Sequence, residues 1–369
     1  MNKCFLILLS IISILTGCWD QNLLVGKKLI NGVGFDLIED NQILVTTRAL
    51  NIQSKGGGQF DIQDELVQAT RPSVSGLRID IDNKLPGNLD ISKAHLIIIG
   101  EDFAKNGLHP ILEGEFRGKD SYIAAKIVIG KGKASDIISI EPGKSPIAFD
   151  ILKGLEAAEN TNVIPDETII NVWTKIGDSD RRDPILPYLE KIESNKIVIA
   201  GVALLNDDKY TGFSLPSEKS TLLLLLMNEL KKVSNSAVIL NQGKKVQSIA
   251  FTTTRMKRNF ELEVDKKSRQ IICRIDLKLD IRINSYPQEK NKKLNIDKLK
   301  NALSTELTKQ AKDVTDTLLD ANCDALGIGR RIASFHPDIW KEIDWEEEYK
   351  YVQFEPNVKV DFINTGSIY

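Results

Sequence analysis

Along the first half of the chain, apolar positions alternate between short strand-like runs and helix-spaced sets. Leu29 to Phe35 and Ile43 to Leu50 read as strands joined at Glu39-Asp40-Asn41, followed by a loop holding Gly56-Gly57-Gly58. From Pro72, residues Val74, Leu77, Ile81 and Leu85 fall at helical spacing and predict a helix. A strand through Ala94 to Ile99, a helix from Glu101 to Leu112 and a strand from Tyr122 to Ile129 continue the alternation. Ile147, Ile151, Leu152 and Leu155 mark another helix, and Ile169, Val172, Trp173 and Ile176 one more. Gly177 to Pro187, rich in Asp, Arg and Pro, reads as a loosened segment.

Near Ser194 the pattern turns strand-like, with Lys196 to Leu205 turning at Asn206-Asp207-Asp208. A helix around Leu222 to Leu230 precedes strands at Ser248 to Arg255, Phe260 to Val264 and Ile271 to Ile283. In the last of these Cys273, Ile275, Leu277, Leu279, Ile281 and Ile283 alternate with polar neighbours. Such alternation predicts an antiparallel sheet with one wet face. From Ile296 the apolar positions Leu299, Leu303, Leu307, Val314, Leu318, Ala321 and Ala325 recur every three or four residues. They predict one amphipathic helix of roughly 30 residues, about 45 Å long, to cover that sheet. Gly327 reads as its C-terminal cap, and Tyr351 to Phe362 as a late strand in the same sheet. The expected fold is α+β and multidomain: a mixed α/β domain over 18–194, and an antiparallel sheet packed by one long helix over 195–369. The second half reads as one domain or two subdomains.

Residues 1–17 stand apart. Lys3 precedes an apolar run from Phe5 to Leu15 broken only by Ser10 and Ser13, and Leu15-Thr16-Gly17-Cys18 follows. A cationic start, a short apolar core and small residues before a cleavage point are an export signal, too short to span a bilayer. Leu-Thr-Gly-Cys resembles the lipobox of bacterial prolipoproteins, which implies a diacylglycerol on the Cys18 thiol. Each buried methylene contributes about 0.8 kcal/mol, so two acyl chains hold a protein persistently where one does not. Beyond Cys18 the longest apolar runs, Ile197 to Leu205 and Leu222 to Met227, fall far short of the roughly 20 residues that a membrane helix needs.

Of 369 residues, 42 % are hydrophobic and 27 % charged, a balance typical of folded domains and unlike that of disordered chains. The near-equal charges, 49 basic against 51 acidic, offer no field for nucleic acid. With Cys4 in the leader and Cys18 committed to lipid, Cys273 and Cys323 make no disulfide scaffold. His95, His109 and His336 lack metal-ligand spacing. Gly32-Val33-Gly34 and Gly327-Ile328-Gly329 lack the third glycine of a dinucleotide fingerprint, and no nucleophile elbow or P-loop occurs. Asp207-Asp208 and Glu346-Glu347-Glu348 read as solvated charge. No catalytic, cofactor or metal residue is therefore expected, and no enzyme. Trp340 and Trp345, two of four tryptophans, read either as packing at the open end of the helix-on-sheet core or as anchors for a partner.

These landmarks, taken in order, resemble one family. Gly17-Cys18-Trp19-Asp20, Asp183-Pro184-Ile185-Leu186-Pro187, Gly201-Val202-Ala203, Asp324-Ala325-Leu326-Gly327-Ile328-Gly329, and Pro337 with Trp340 and Trp345 look like the Ger(x)C lipoproteins. Those are the C subunits of nutrient germinant receptors in endospore-forming bacteria. Gln21-Asn22 and Ala325 depart from the family's usual residues. The resemblance implies a lipoprotein on the outer face of the spore inner membrane. Its partners would be an A subunit and a permease-like B subunit, and its role nutrient-triggered germination without an enzymatic site. Whether this subunit itself touches the nutrient stays open. The alternative, carried by the same anchor and the α/β first half, is a solute-binding lipoprotein of a transporter.

Overall fold

The computed structural model describes residues 27–364 apart from 57–58, 86–87, 119–120, 142, 144, 178–181, 194, 243–244, 266–267 and 287–294. The leader and Cys18 lie outside the described residues. Two sheets organise the chain. The first contains β1 (Lys27–Ile38), β2 (Gln42–Gly56), β3 (Gln59–Arg71), β4 (Asn88–Asp90), β5 (Leu96–Gly100), β6 (Lys126–Gly130), β7 (Ile185–Glu193), β8 (Lys196–Asn206) and β9 (Lys209–Pro216). Its order is β3-β2-β1-β5-β6-β7-β8-β9, with β4 beside the start of β1. The β1-β5-β6-β7 centre is parallel, and a hairpin wing on each side is antiparallel.

The sequence explains this division. Leu96 to Ile99 and Ile127 to Ile129 are continuous apolar runs, buried on both faces as central parallel strands must be. Among the described residues seven helices cover the two faces: α1 (Leu77–Lys84), α2 (Glu101–Asn106), α3 (His109–Arg117), α4 (Ala134–Ile138), α5 (Ile147–Asn160), α6 (Ile169–Ile176) and α7 (Ser217–Leu226). One face packs α1, α2, α3 and α6. The other packs α4, α5 and α7, and its core runs on without interruption into the second sheet. Gly32 and Gly34 serve this packing: Cβ atoms there would stand 2.9 Å from Ala148 Cβ and 3.2 Å from Ala134 Cβ. Asp36, two residues on, caps α4 by accepting the backbone N–H groups of Ala134 and Ser135.

The second sheet, β10 (Ser234–Gln242), β11 (Lys245–Val264), β12 (Ile271–Ser285) and β13 (Gln353–Asn364), is covered by α8 (Ile296–Asp320). Leu299, Leu303, Leu307, Ala311, Val314 and Leu318 of α8 are buried against the inward residues of β12, from Ile271 through Cys273 to Ile283. Three short helices, α9 (Ile328–Phe335), α10 (Pro337–Trp340) and α11 (Trp345–Glu348), precede β13.

Several expectations need correction. The C-terminal sheet is mixed, because β13 pairs parallel to β12: α8 carries the chain back across the sheet, so β13 starts at the same end. Helix α8 stops at Asp320, since Ala321 ends it and Asn322 turns left-handed (φ 48). Gly327 (φ 70) therefore starts α9 instead of ending α8. The helix predicted from Glu101 breaks at Gly107 (φ 120). β3 occupies part of the segment read as loop and helix approach, β7 begins in the segment read as loose, and β10 was not legible. β11 is one bulged strand where two were expected. β7 and β8, on either side of the division expected near Ser194, pair antiparallel in the first sheet. Sheet membership changes between Pro216 and Ser234.

Candidate functional site at the junction of the sheets

Four segments far apart in sequence meet where the first sheet adjoins the end of α8. Asp183, just ahead of β7, anchors the meeting. Its Oδ2 accepts the backbone N–H of Asp324 at 2.7 Å, and its Oδ1 accepts that of Asp207 at 2.8 Å in the β8–β9 turn. The backbone N–H of Asp183 returns a bond to the Asp324 carbonyl at 3.2 Å. Beside this pair, Asn206 Nδ2 donates to the Asn322 carbonyl at 2.8 Å and Arg182 Nε to that of Ala325 at 3.2 Å.

Asp324 itself is 1 % exposed. Its carboxylate accepts the N–H groups of Ile328 (2.8 Å) and Gly329 (2.7 Å), closing the first turn of α9, and the indole N–H of Trp345 at 3.1 Å. Burial pushes this carboxyl up to about 7, against the pull of the backbone bonds from Gly329 and Ile328. Gly329 is required by closeness: a Cβ there would stand 2.5 Å from Trp345 Nε1. Gly201 (φ 132) meets the same demand in β8, where a Cβ would fall 2.0 Å from the Leu215 carbonyl oxygen.

Trp345 heads an aromatic chain, with Trp340 at 6.0 Å, Tyr349 at 5.6 Å and Phe354 at 6.4 Å from Tyr349. Tyr349 donates its hydroxyl to the Cys323 carbonyl at 2.8 Å. Trp345 is thus buried and hydrogen-bonded inward, while Trp340 is half-buried against the core edge. The structure brings these two tryptophans together and places Cys18 outside the described residues. Asp183 and Asp324 stood in the sequence motifs without a role. An Asp shortly before a helix start is a capping signal, but nothing local announces that Asp183 receives the backbone of Asp324.

Reactive chemistry finds no support in these groups. Burial pushes the Cys273 thiol up to about 12 and that of Cys323 well above its ordinary value, and such thiols are inert. Among the described residues no cluster of His, Cys, Asp or Glu could hold a metal ion. Asp208, read as solvated charge, instead caps α3 through the N–H of His109 at 2.9 Å. The junction is a lock made of backbone and carboxylates, joining the two sheets into one body.

Two family models match the chain: "Spore germination protein N-terminal domain" over residues 20–191 and "Spore germination B3/ GerAC like, C-terminal" over residues 200–366. The chain belongs to the Ger(x)C family of spore germination proteins. Spore germination protein KC of Bacillus subtilis (strain 168) is 23 % identical over 394 aligned residues, spanning 95 % of this chain and 92 % of that protein. The putative spore germination protein YfkR of the same organism is 25 % identical over 62 % of each. The solved structure described as "Crystal Structure of the GerBC protein" superposes with a TM-score of 0.59 at 16 % identity. It covers 90 % of this chain and 97 % of that one, and shows the same fold. In this Ger(x)C protein the boundary between the two family models, 191 to 200, brackets the β7–β8 turn inside the first sheet. Of the motifs that suggested the family, Asp183, the Asp324 to Gly329 segment and Trp345 build the junction, whereas Gly201 serves the packing of β8 on β9.

Proposed function

We propose that this Ger(x)C protein is the lipid-anchored C subunit of a spore germinant receptor. It would be held through Cys18 to the outer face of the spore inner membrane and act with A and permease-like B subunits in nutrient-triggered germination. The observation that carries this reading is the match of both family models, which together run from residue 20, just past Cys18, to residue 366. No helix among the described residues is long and apolar enough to cross a membrane, so acyl chains on Cys18 supply the attachment in this reading. The part assigned to it is that of a rigid scaffold, since the junction residues hold and shape without reacting. Partner contact falls to the exposed edge of Trp340 with Phe335 (72 % exposed) and Tyr351 (71 % exposed), because Trp345 is committed to the core.

The test is co-purification of the tagged, detergent-solubilised protein from dormant spores. Recovery of an A-type and a permease-like B-type subunit supports the reading, and recovery of transporter subunits overturns it in favour of a solute-binding lipoprotein. That second reading requires two similar doubly wound lobes around a cleft. Among the described residues the second sheet, four strands under one long helix, is not such a lobe.

A further inference from the structure

Arg258 breaks the pattern of the second sheet. It stands on β11 opposite the buried Leu277 of β12, so the two side chains share the inward face. Met256 and Phe260, its neighbours on that face, pack against the core. An arginine is almost never placed in such company unless a carboxylate pairs with it. Arg258 Nη1 instead donates to a neutral acceptor, the Leu226 carbonyl at the end of α7, at 2.6 Å. Its guanidinium carbon lies 4.9 Å from the centre of the Phe260 ring.

A second guanidinium rests on the same ring. Arg331 of α9 holds its guanidinium carbon 4.1 Å from the ring centre, so the two carbons lie no more than about 9 Å apart. Both side chains are half-buried. Among the described residues neither has a carboxylate within ion-pair reach, and the Arg331 side chain makes no hydrogen bond. Arg182 brings a third guanidinium near, but Glu229 balances it at 2.8 Å. The carboxylates of the adjoining junction, Asp183 and Asp324, accept backbone N–H groups and the Trp345 indole. Two positive charges are left over. Burial opposes the charge of Arg258 most, and Arg331 and Arg182, of like sign, oppose it further.

We propose that Arg258 and Arg331 form a binding site for a doubly charged oxyanion of the phosphate class. The central atom of an oxyanion held by a guanidinium fork lies ~4 Å from the guanidinium carbon, so one such group at the edge of the Phe260 ring meets both forks. The ring takes each guanidinium by its face and leaves the N–H edges free to donate. A monocarboxylate leaves one guanidinium unmatched, and an apolar or cationic molecule leaves both.

The experiment titrates the full-length, detergent-solubilised protein calorimetrically with inorganic phosphate, sulfate and acetate at constant ionic strength, subtracting protein-free micelles. Saturable binding of phosphate and sulfate, at least tenfold weaker for acetate, is expected. Arg331→Gln, a change on a half-exposed helical site, should weaken phosphate at least tenfold while leaving thermal unfolding without the anion unchanged. Arg258→Met, which suits the inward face, should do the same to binding, and Arg117→Gln on α3 should leave it intact. Absence of saturable binding of either dianion, equal affinity for acetate, or full binding by a folded Arg331→Gln protein each overturns the proposal. Doping the micelles with phosphatidic acid separates the sources: competition with phosphate assigns the site to a lipid headgroup, and no competition assigns it to a free phosphate group. Co-purification decides the receptor reading separately, so either can fail without the other.

Discussion

Asp183 Oδ2 accepts the backbone N–H of Asp324 at 2.7 Å across 141 positions of sequence, and its other oxygen holds the N–H of Asp207. One carboxylate thus ties the β8–β9 turn to the segment between α8 and α9. Asp183→Ala leaves two backbone donors without their acceptor in a buried place, where each orphaned group costs about 1–3 kcal/mol. A loss of roughly 2–5 kcal/mol in urea unfolding is expected, with the two halves separating more readily. A midpoint unchanged from the parent would show that the junction does not join them.

Asp324 makes stability depend on pH in an unusual direction for a carboxylate. Its folded value, raised to about 7 by burial, lies above the ordinary 3.8 of the unfolded chain. The folded state therefore keeps a proton that the unfolded chain releases. The resulting stabilisation is fully present below about pH 4 and is lost as pH rises through 7, a span worth roughly 4 kcal/mol. Asp324→Asn, neutral throughout, should show a flatter curve over that window while being less stable overall, since its amide cannot accept all three N–H bonds. Parallel curves for the two proteins between pH 4.5 and 7.5 would refute the assignment.

Gly329 and Trp345 form a matched pair. A methyl group on residue 329 meets the indole at 2.5 to 2.9 Å, so Gly329→Ala must displace the ring and its bond to Asp324. Overpacking of this kind costs about 1–3 kcal/mol. Trp345→Phe alone loses the indole N–H. In a double-mutant cycle the two changes should be less than additive, because removing the indole relieves the clash. Additivity would mean that the ring does not set the requirement for glycine.

Much of this architecture is legible in the chain because burial there is periodic. The Cys273 to Ile283 alternation, the buried stripe of α8 and the continuous run at Leu96 to Ile99 each announce an element and its face. β3 is different, since Ile62 and Leu66 point to solvent while Val67 and Ala69 point inward, so its apolar residues switch faces and the period disappears. The end of α8 is hidden for a related reason. Ala321 and Ala325 continue the helical spacing, and only the left-handed Asn322 and the capping by Asp324 show that they belong to a turn. At the junction the residue types are visible but their meeting is not: a contact between positions 183 and 324 leaves no local pattern. Trp345 could be read as core from its size alone, whereas its bond to Asp324 required the fold.

The open edge of the second sheet is closed by side chains of α8. Thr308 Oγ1 accepts the N–H of Val358 at 2.9 Å and donates to its carbonyl at 3.3 Å, and Ser304 Oγ accepts the N–H of Val360 at 3.1 Å. An edge strand left unpaired invites pairing with another chain. Thr308→Val keeps the shape and removes both bonds, so a destabilisation of about 1–2 kcal/mol is expected, with faster aggregation on mild heating. Light scattering and unfolding measured together check this. Unchanged aggregation in a destabilised variant would confine the role of Thr308 to packing.

Attachment to the membrane gives the last prediction. Among the described residues no helix is long and apolar enough to cross a bilayer, and in the proposed reading Cys18, next after the leader of residues 1–17, receives a diacylglycerol. Two acyl chains hold a protein where one does not, so Cys18→Ala should move the protein from the membrane fraction to the soluble fraction. Its unfolding should not change, because the junction and both sheets lie entirely beyond that residue. Fractionation of cells expressing the variant without partner subunits reads the lipid contribution alone, and repeating it with them reads what protein contacts add. Release in the first case and retention in the second would locate attachment in both. Retention in both would mean that a surface of the ectodomain, and not the thiol, binds the membrane.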